Sequence, residues 1–188
     1  MRLFTAIDLH PDVLLRLERL LSAWRPEALI KWTPLDNLHV TIKFIGQWSE
    51  DRLDELDAAL TSLVPREPFQ VEIKDLGWFP NERSPHVLWA GVQGGDSLRR
   101  LALETEERLR SLGIAKEDRE FRPHLTLARI KKPAPLGRLR QKMQEVKPTF
   151  FGKFPVGEFA LYRSDPGSNA SVYRKLRGYR FESAAAAS

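Results

Sequence analysis

The same short strand is written twice in this chain. His39-Val40-Thr41-Ile42 and His124-Leu125-Thr126-Leu127 both read His, apolar, Thr, apolar, and they lie nearly half a chain apart. Side chains at i and i+2 of a strand share a face, so each segment presents an imidazole and a hydroxyl on one side and an apolar pair on the other. A strand divided in this way needs a core behind it and open space in front, and two of them ask for that arrangement twice. With four His and seven Thr in 188 residues, random placement yields roughly 0.15 His-x-Thr pairs. Two occur, with matching apolar positions.

Hydrophobic periodicity sets the surroundings of both motifs. RLFTAID reads as a buried strand, and Pro11 opens a helix whose Leu14, Leu17, Leu21 and Trp24 fall on one stripe. After the first motif strand, LHVTIKFIG, Ser49 caps an expected helix carrying Leu53, Leu56, Leu60 and Leu63. FQVEIKDLGWF and HVLWAGV read as strands around the turn FPNERSP, and Asp96 is the expected cap of a helix ending near Gly113. The second motif strand, HLTLARI, precedes a loop, KKPAP, and a helix with Leu136, Leu139, Met143 and Val146 on one stripe. KFPVGEFALYRS and SVYRKLRGYRFE read as the two closing strands. The pattern predicts an α+β fold of two halves, each with strands, helices and one motif, related by an internal duplication. Residues 1–182 form one expected unit, and 183–188 (SAAAAS) read as a disordered tail or cloning remnant.

The chemistry available is bounded by what the chain lacks. It contains no Cys, which removes disulfides, thiol nucleophiles and cysteine-based metal sites. The opening MRLFTAIDLHPD has no signal-like apolar stretch and no run approaches a membrane span, so the cytoplasm is the expected compartment and no membrane partner is expected. A formal charge of +5 favours a polyanionic partner.

Two histidines near a common substrate divide acid and base work, because imidazole titrates near neutrality. A phosphodiester needs both: a water deprotonated on one side of phosphorus, a departing alkoxide protonated on the other. Thr41 and Thr126 supply hydroxyl donors to the non-bridging oxygens, and no metal cofactor is required by this set. Arg129, five residues after His124, faces away from it on a regular strand. It is either a solvated outer arginine or a phosphate clamp re-aimed by a bulge. Phe44 has the same offset from His39 and reads either as a core aromatic or as a platform for a nucleobase. Lys31, Lys43, Arg122, Lys131 and Lys132 flank the motifs and are candidates to guide an RNA strand. His10 and His86, with no following Thr, read as structural or peripheral.

The paired motifs resemble the 2H phosphoesterase superfamily, and the longer blocks RLFTAIDL, KWTPLDNLHVTIKFIG, FPNERSPHVLWAGV, REFRPHLTLARIK and FALYRSDPGSNASVYRKL are similar, in order, to its RNA 2′,3′-cyclic phosphodiesterase (2′-5′ RNA ligase) branch. That resemblance implies a bilobal fold with antiparallel sheets facing each other across an active cleft, one motif from each lobe, and no metal. It also implies opening of RNA 2′,3′-cyclic phosphate ends to 2′-phosphates, with reversible 2′-5′ ligation as a side of the same chemistry. His39 becomes the expected proton donor and His124 the expected acceptor, with Thr41, Thr126, Arg129 and Phe44 at the substrate. The expected partner is RNA, met by a monomer. The alternatives are a non-catalytic RNA-binding module and a relative acting on small cyclic nucleotides.

Overall fold

A computed structural model describes residues 1–146 and 149–183. Along them run β1 (Arg2–Asp8), α1 (Pro11–Trp24), β2 (Lys31–Trp32), β3 (His39–Gln47), α2 (Leu53–Thr61), β4 (Phe69–Phe79), β5 (Val87–Gln93), α3 (Gly95–Arg110), β6 (His124–Arg129), α4 (Gly137–Glu145), β7 (Phe150–Val156), β8 (Glu158–Asp165) and β9 (Val172–Arg180). The strands form two antiparallel sheets. One has the order β3-β1-β8-β9 and the other β2-β6-β5-β4-β7. One motif strand thus stands in each sheet, as the α+β, bilobal expectation required.

Burial explains which residues build these elements. In β1, Leu3 to Ile7 are all buried, because the strand lies between β3 and β8 and is covered on both faces. In α1, Val13, Leu17, Leu21 and Trp24 are buried, each apolar side chain contributing about 1.5–3 kcal/mol by leaving water. Pro11 sits in its first turn, and His10 caps it, Nδ1 accepting from the Asp12 N–H at 3.3 Å. This is the structural role expected of His10. At the far end of α3, Gly113 takes φ +86° and the Ile114 N–H returns to the Leu109 carbonyl, a left-handed stop that favours glycine.

Several local expectations are corrected. The α3 N-cap is Gly94, and Asp96 lies inside the first turn, where it pairs with Arg99 at 3.3 Å. Ser49 precedes a 3-10 turn, Glu50–Arg52, before α2 begins at Leu53. The two-residue strand β2 has too few residues to show a period. KFPVGEFALYRS is two strands: the chain breaks at Gly157 and crosses from one sheet to the other, β7 pairing with β4 and β8 with β1. The sheets therefore do not follow the halves of the sequence, since β8 and β9 complete the sheet begun by β1 and β3. At the C-terminus Glu182 bridges Pro65 and Ser183 donates to Glu67. The rest of the expected tail, 184–188, lies outside the described residues.

Candidate active site

Each motif strand carries an irregularity just after its threonine, and this decides where the later side chains point. In β3, Thr41 lies opposite Ala6 and Lys43 opposite Thr5, so Ile42 is an extra residue in the ladder. In β6, Thr126 lies opposite Trp89 and Ala128 opposite Leu88, so Leu127 is the extra residue. Alternation breaks in both places: Ile42 and Lys43 are buried in succession, as are Leu127 and Ala128. A bulge reverses the parity of the residues that follow it, up to the next one; in β3 that is Ile45. Phe44 and Arg129 are returned to the open face that carries His39 and Thr41 in one strand and His124 and Thr126 in the other. The geometric half of the choice left open by the sequence is thus resolved. Phe44 is 53% exposed and outside the core, and Arg129 stands close enough to His124 for its charge to act on the imidazole.

The two motif strands pack against each other where the sheets meet. On the first sheet the site has an aromatic floor. Phe4 is 2% exposed although it lies outside the main core cluster, because its ring is covered by the His39 ring at 4.9 Å, Tyr162 at 5.4 Å, Tyr173 at 4.9 Å and Phe44 at 6.1 Å. Tyr173 also meets His39 edge-on at 5.2 Å. Asp8 is the cross-strand partner of His39, and its carboxylate accepts from the Tyr162 hydroxyl and from Lys175 Nζ at 3.0 Å. On the second sheet Phe79 meets the His124 ring edge-on at 5.1 Å and packs against Trp89 at 5.2 Å. The Trp89 indole lies over Gly77, where any Cβ would overlap it, and its Nε1 is buried without a hydrogen-bond partner among the described residues.

The two imidazoles are held in similar ways but sit in opposite fields. His124 Nδ1 lies 2.7 Å from the Arg122 carbonyl. A carbonyl only accepts, so Nδ1 carries the proton and Nε2 is left free to accept one. Burial depresses His124 below the usual imidazole range, the Arg122 carbonyl opposes this, and the Arg129 charge adds to the depression. Burial pushes His39 down to about 4, against the Asn37 carbonyl and the Asp8 carboxylate, which both favour its charged form. The anionic neighbour thus belongs to His39 and the cationic one to His124. Tyr162, buried and hydrogen-bonded to Asp8, is raised to a value that keeps its hydroxyl protonated.

Of the flanking cations, Lys31 is the register partner of Arg129, and directly paired residues share a face. Lys43 is not a surface guide for RNA. It is 3% exposed, with Nζ 2.9 Å from Glu106 Oε1 and 2.8 Å from the Ala115 carbonyl, because the bulge that releases Phe44 turns Lys43 inward. Arg122 is exposed beside Glu120, and Lys131 and Lys132 line a separate pocket with His86. Phe4, Asp8, Phe79, Trp89, Tyr162 and Tyr173 were not singled out from sequence. All six fall within three of the resembling blocks, but the convergence of Phe4, Asp8, Tyr162 and Tyr173 on His39 and of Phe79 on His124 depends on pairing between distant strands. Among the described residues, no group of three or more His, Cys, Asp or Glu is arranged to hold a metal ion, and no helix is long and apolar enough to cross a membrane.

Comparison with known proteins gives the family and the fold. The sequence profile of the 2′-5′ RNA ligase superfamily matches residues 11–168. The RNA 2′,3′-cyclic phosphodiesterase of Archaeoglobus fulgidus is 31% identical over 177 residues, covering 94% of this chain and 98% of the relative. That of Thermus thermophilus is 35% identical over 186 residues, with 95% and 89% covered. Among solved structures, LigT of E. coli complexed with 3′-AMP superimposes with a TM-score of 0.77 at 25% identity, covering 96% of this chain and 97% of LigT.

Proposed function

Because the chain belongs to the 2′-5′ RNA ligase superfamily, we propose that it opens 2′,3′-cyclic phosphates at RNA ends to 2′-phosphates, using its two motif histidines as acid and base. The observation that carries this reading is the matched pair of bulged strands, which presents His-Thr-Arg on one sheet and His-Thr-Phe on the other, side by side.

His124, with Nε2 free, takes a proton from water, and the resulting hydroxide attacks phosphorus. The P–O3′ bond breaks and His39 delivers a proton to the departing O3′, leaving the phosphate on O2′. Thr41, Thr126 and Arg129 donate to the non-bridging oxygens as charge builds there. His39 must be charged to act as the donor, and burial opposes this in the free protein. An anionic phosphate entering beside it, together with Asp8, restores the charged form. Of the charges beside the two rings, Asp8 favours the charged form of His39 and Arg129 the neutral form of His124, which supports this order. Phe44 offers its exposed ring to the terminal base. Ligation uses the same groups: a 5′-hydroxyl in place of water loses its proton to His124 and attacks phosphorus, P–O3′ breaks, O3′ takes the proton from His39, and a 2′-5′ linkage is left, with hydrolysis favoured in water. We take residues 1–182 as one catalytic unit working on RNA as a cytoplasmic monomer.

The test is to incubate the protein with RNA carrying a 2′,3′-cyclic phosphate and to identify which hydroxyl keeps the phosphate. A 2′-phosphate product, formed in the presence of EDTA, is expected. His39→Ala and His124→Ala should each lower kcat by about 10²-fold or more, and near-wild-type turnover in either variant would refute the role given to that histidine. Saturable RNA binding without product in the wild type would support the non-catalytic alternative instead.

A further inference from the structure

A second cationic site lies at the end of the β6 sheet, around the corner from the histidines. Arg83, His86, Lys131, Lys132 and Arg140 line a pocket of about 360 Å³ between the β4–β5 loop, the segment after β6 and the start of α4. No carboxylate lines it among the described residues. None of its lysines or arginines forms an ion pair with a described residue, although cations elsewhere pair readily, Lys175 with Asp8 and Glu158 and Arg177 with Asp57. Such a concentration of like charge raises the local positive potential and favours an anion there.

Two further features point to an oxyanion. Arg140 is held as a fork: one Nη donates to the Glu82 carbonyl and the guanidinium lies 6.0 Å from the Trp78 ring centre. Its Nε is buried without a partner among the described residues, which leaves the Nη groups as its donors at the pocket. The pocket wall also includes Leu136 and Gly137, where α4 begins with no side-chain cap, so the positive end of that helix lies beside the pocket.

Its position ties the pocket to the cleft. Arg129 and its partner Lys31 stand on the open face, Ile130 turns inward and donates its N–H to the His86 carbonyl at 2.9 Å, and Lys131 begins the pocket rim. From Arg129 to Lys131 is ~7 Å of extended chain. Lys31, Arg129, Lys131 and Lys132 therefore mark a cationic path from the histidines around the sheet end.

We propose that this pocket is a second phosphate subsite, which holds a backbone phosphodiester of the same RNA upstream of its cyclic end. This rests on the cyclic phosphodiesterase reading and adds to it a preference for an oligonucleotide over a nucleoside cyclic phosphate. The experiment compares adenosine 2′,3′-cyclic monophosphate with a ten-nucleotide RNA ending in the same group, for the wild type and for Lys131→Ala/Lys132→Ala and Arg83→Ala. The wild type should have the lower KM for the oligonucleotide. The lysine double variant should raise that KM about 10-fold with kcat held, and flatten its salt dependence, each lost phosphate contact removing about 0.7 from the slope of log affinity against log salt. Its KM for the mononucleotide should stay within about 2-fold. Equal effects on both substrates, or no effect on either, would overturn the subsite. Binding of inorganic phosphate or ATP that the double variant loses while the oligonucleotide KM is unchanged would reassign the pocket to a free anion and also overturn it. Fluorescence anisotropy with the same RNA ending in a plain hydroxyl separates the two readings: failure of turnover with lysine-dependent binding intact sinks only the phosphodiesterase assignment.

Discussion

At the scale of single residues, His39 is the group whose surroundings have the widest consequences. Burial holds it down to about 4 in the folded chain, whereas in the unfolded chain an imidazole titrates near ~6.5. As the pH falls, the unfolded chain takes up this proton first. The stability tied to a neutral His39 is thus fully present above about pH 6.5, is lost as the pH falls towards 4, and changes no further below that. The loss is on the order of 3 kcal/mol for this one group. Thermal unfolding followed between pH 7 and 4 should show a falling midpoint, and His39→Asn should remove a large part of the slope. An unchanged slope in the variant would mean that His39 is not the group responsible. His124 adds to the same trend, since burial depresses it too.

At the scale of elements, the two bulges turn a readable pattern into a site. The His-x-Thr alternation is legible without coordinates, because period two follows from strand geometry alone. The offset of five to Phe44 and Arg129 is not, because it depends on one unpaired residue in each ladder. The consecutive apolar pair Leu127-Ala128 was a faint trace of it; Ile42-Lys43 left none, since a lysine turned inward is explained only by Glu106 and Ala115, more than sixty residues away. The break at Gly157 was hidden for a similar reason, two abutting strands having the pattern of one. The neighbouring strand offers a test of how tightly the site is supported. A Cβ at Gly77 would overlap the Trp89 indole, which lies across from Thr126 on one side and packs against Phe79 on the other. Gly77→Ala should cost about 1–3 kcal/mol through overpacking, shift tryptophan fluorescence and lower turnover. A variant with wild-type stability and activity would show that the indole has room to move.

At the scale of the whole molecule, side chains from one sheet are anchored on elements that belong to the other. Lys43 leaves a strand of one sheet to reach Glu106 on α3, the helix that follows a strand of the other. Across the molecule, Arg16 of α1 donates to the Phe151 carbonyl of β7 at 3.2 Å, and Gly152 leaves room for Val13. Replacing Lys43 by Met would strand the largely buried Glu106 carboxylate, with an expected cost of about 3–5 kcal/mol. Chemical denaturation measures it, and Lys43→Met/Glu106→Leu should recover part of the loss. The return of the chain at Gly157 to the sheet it started has a consequence for how the molecule comes into being. Synthesis from the N-terminus delivers β1 and β3 long before β8, so the platform beneath His39 waits, half-walled and exposed, for Tyr162 and Tyr173 to emerge. The surface around His39 is complete only once β8 and β9 have been made.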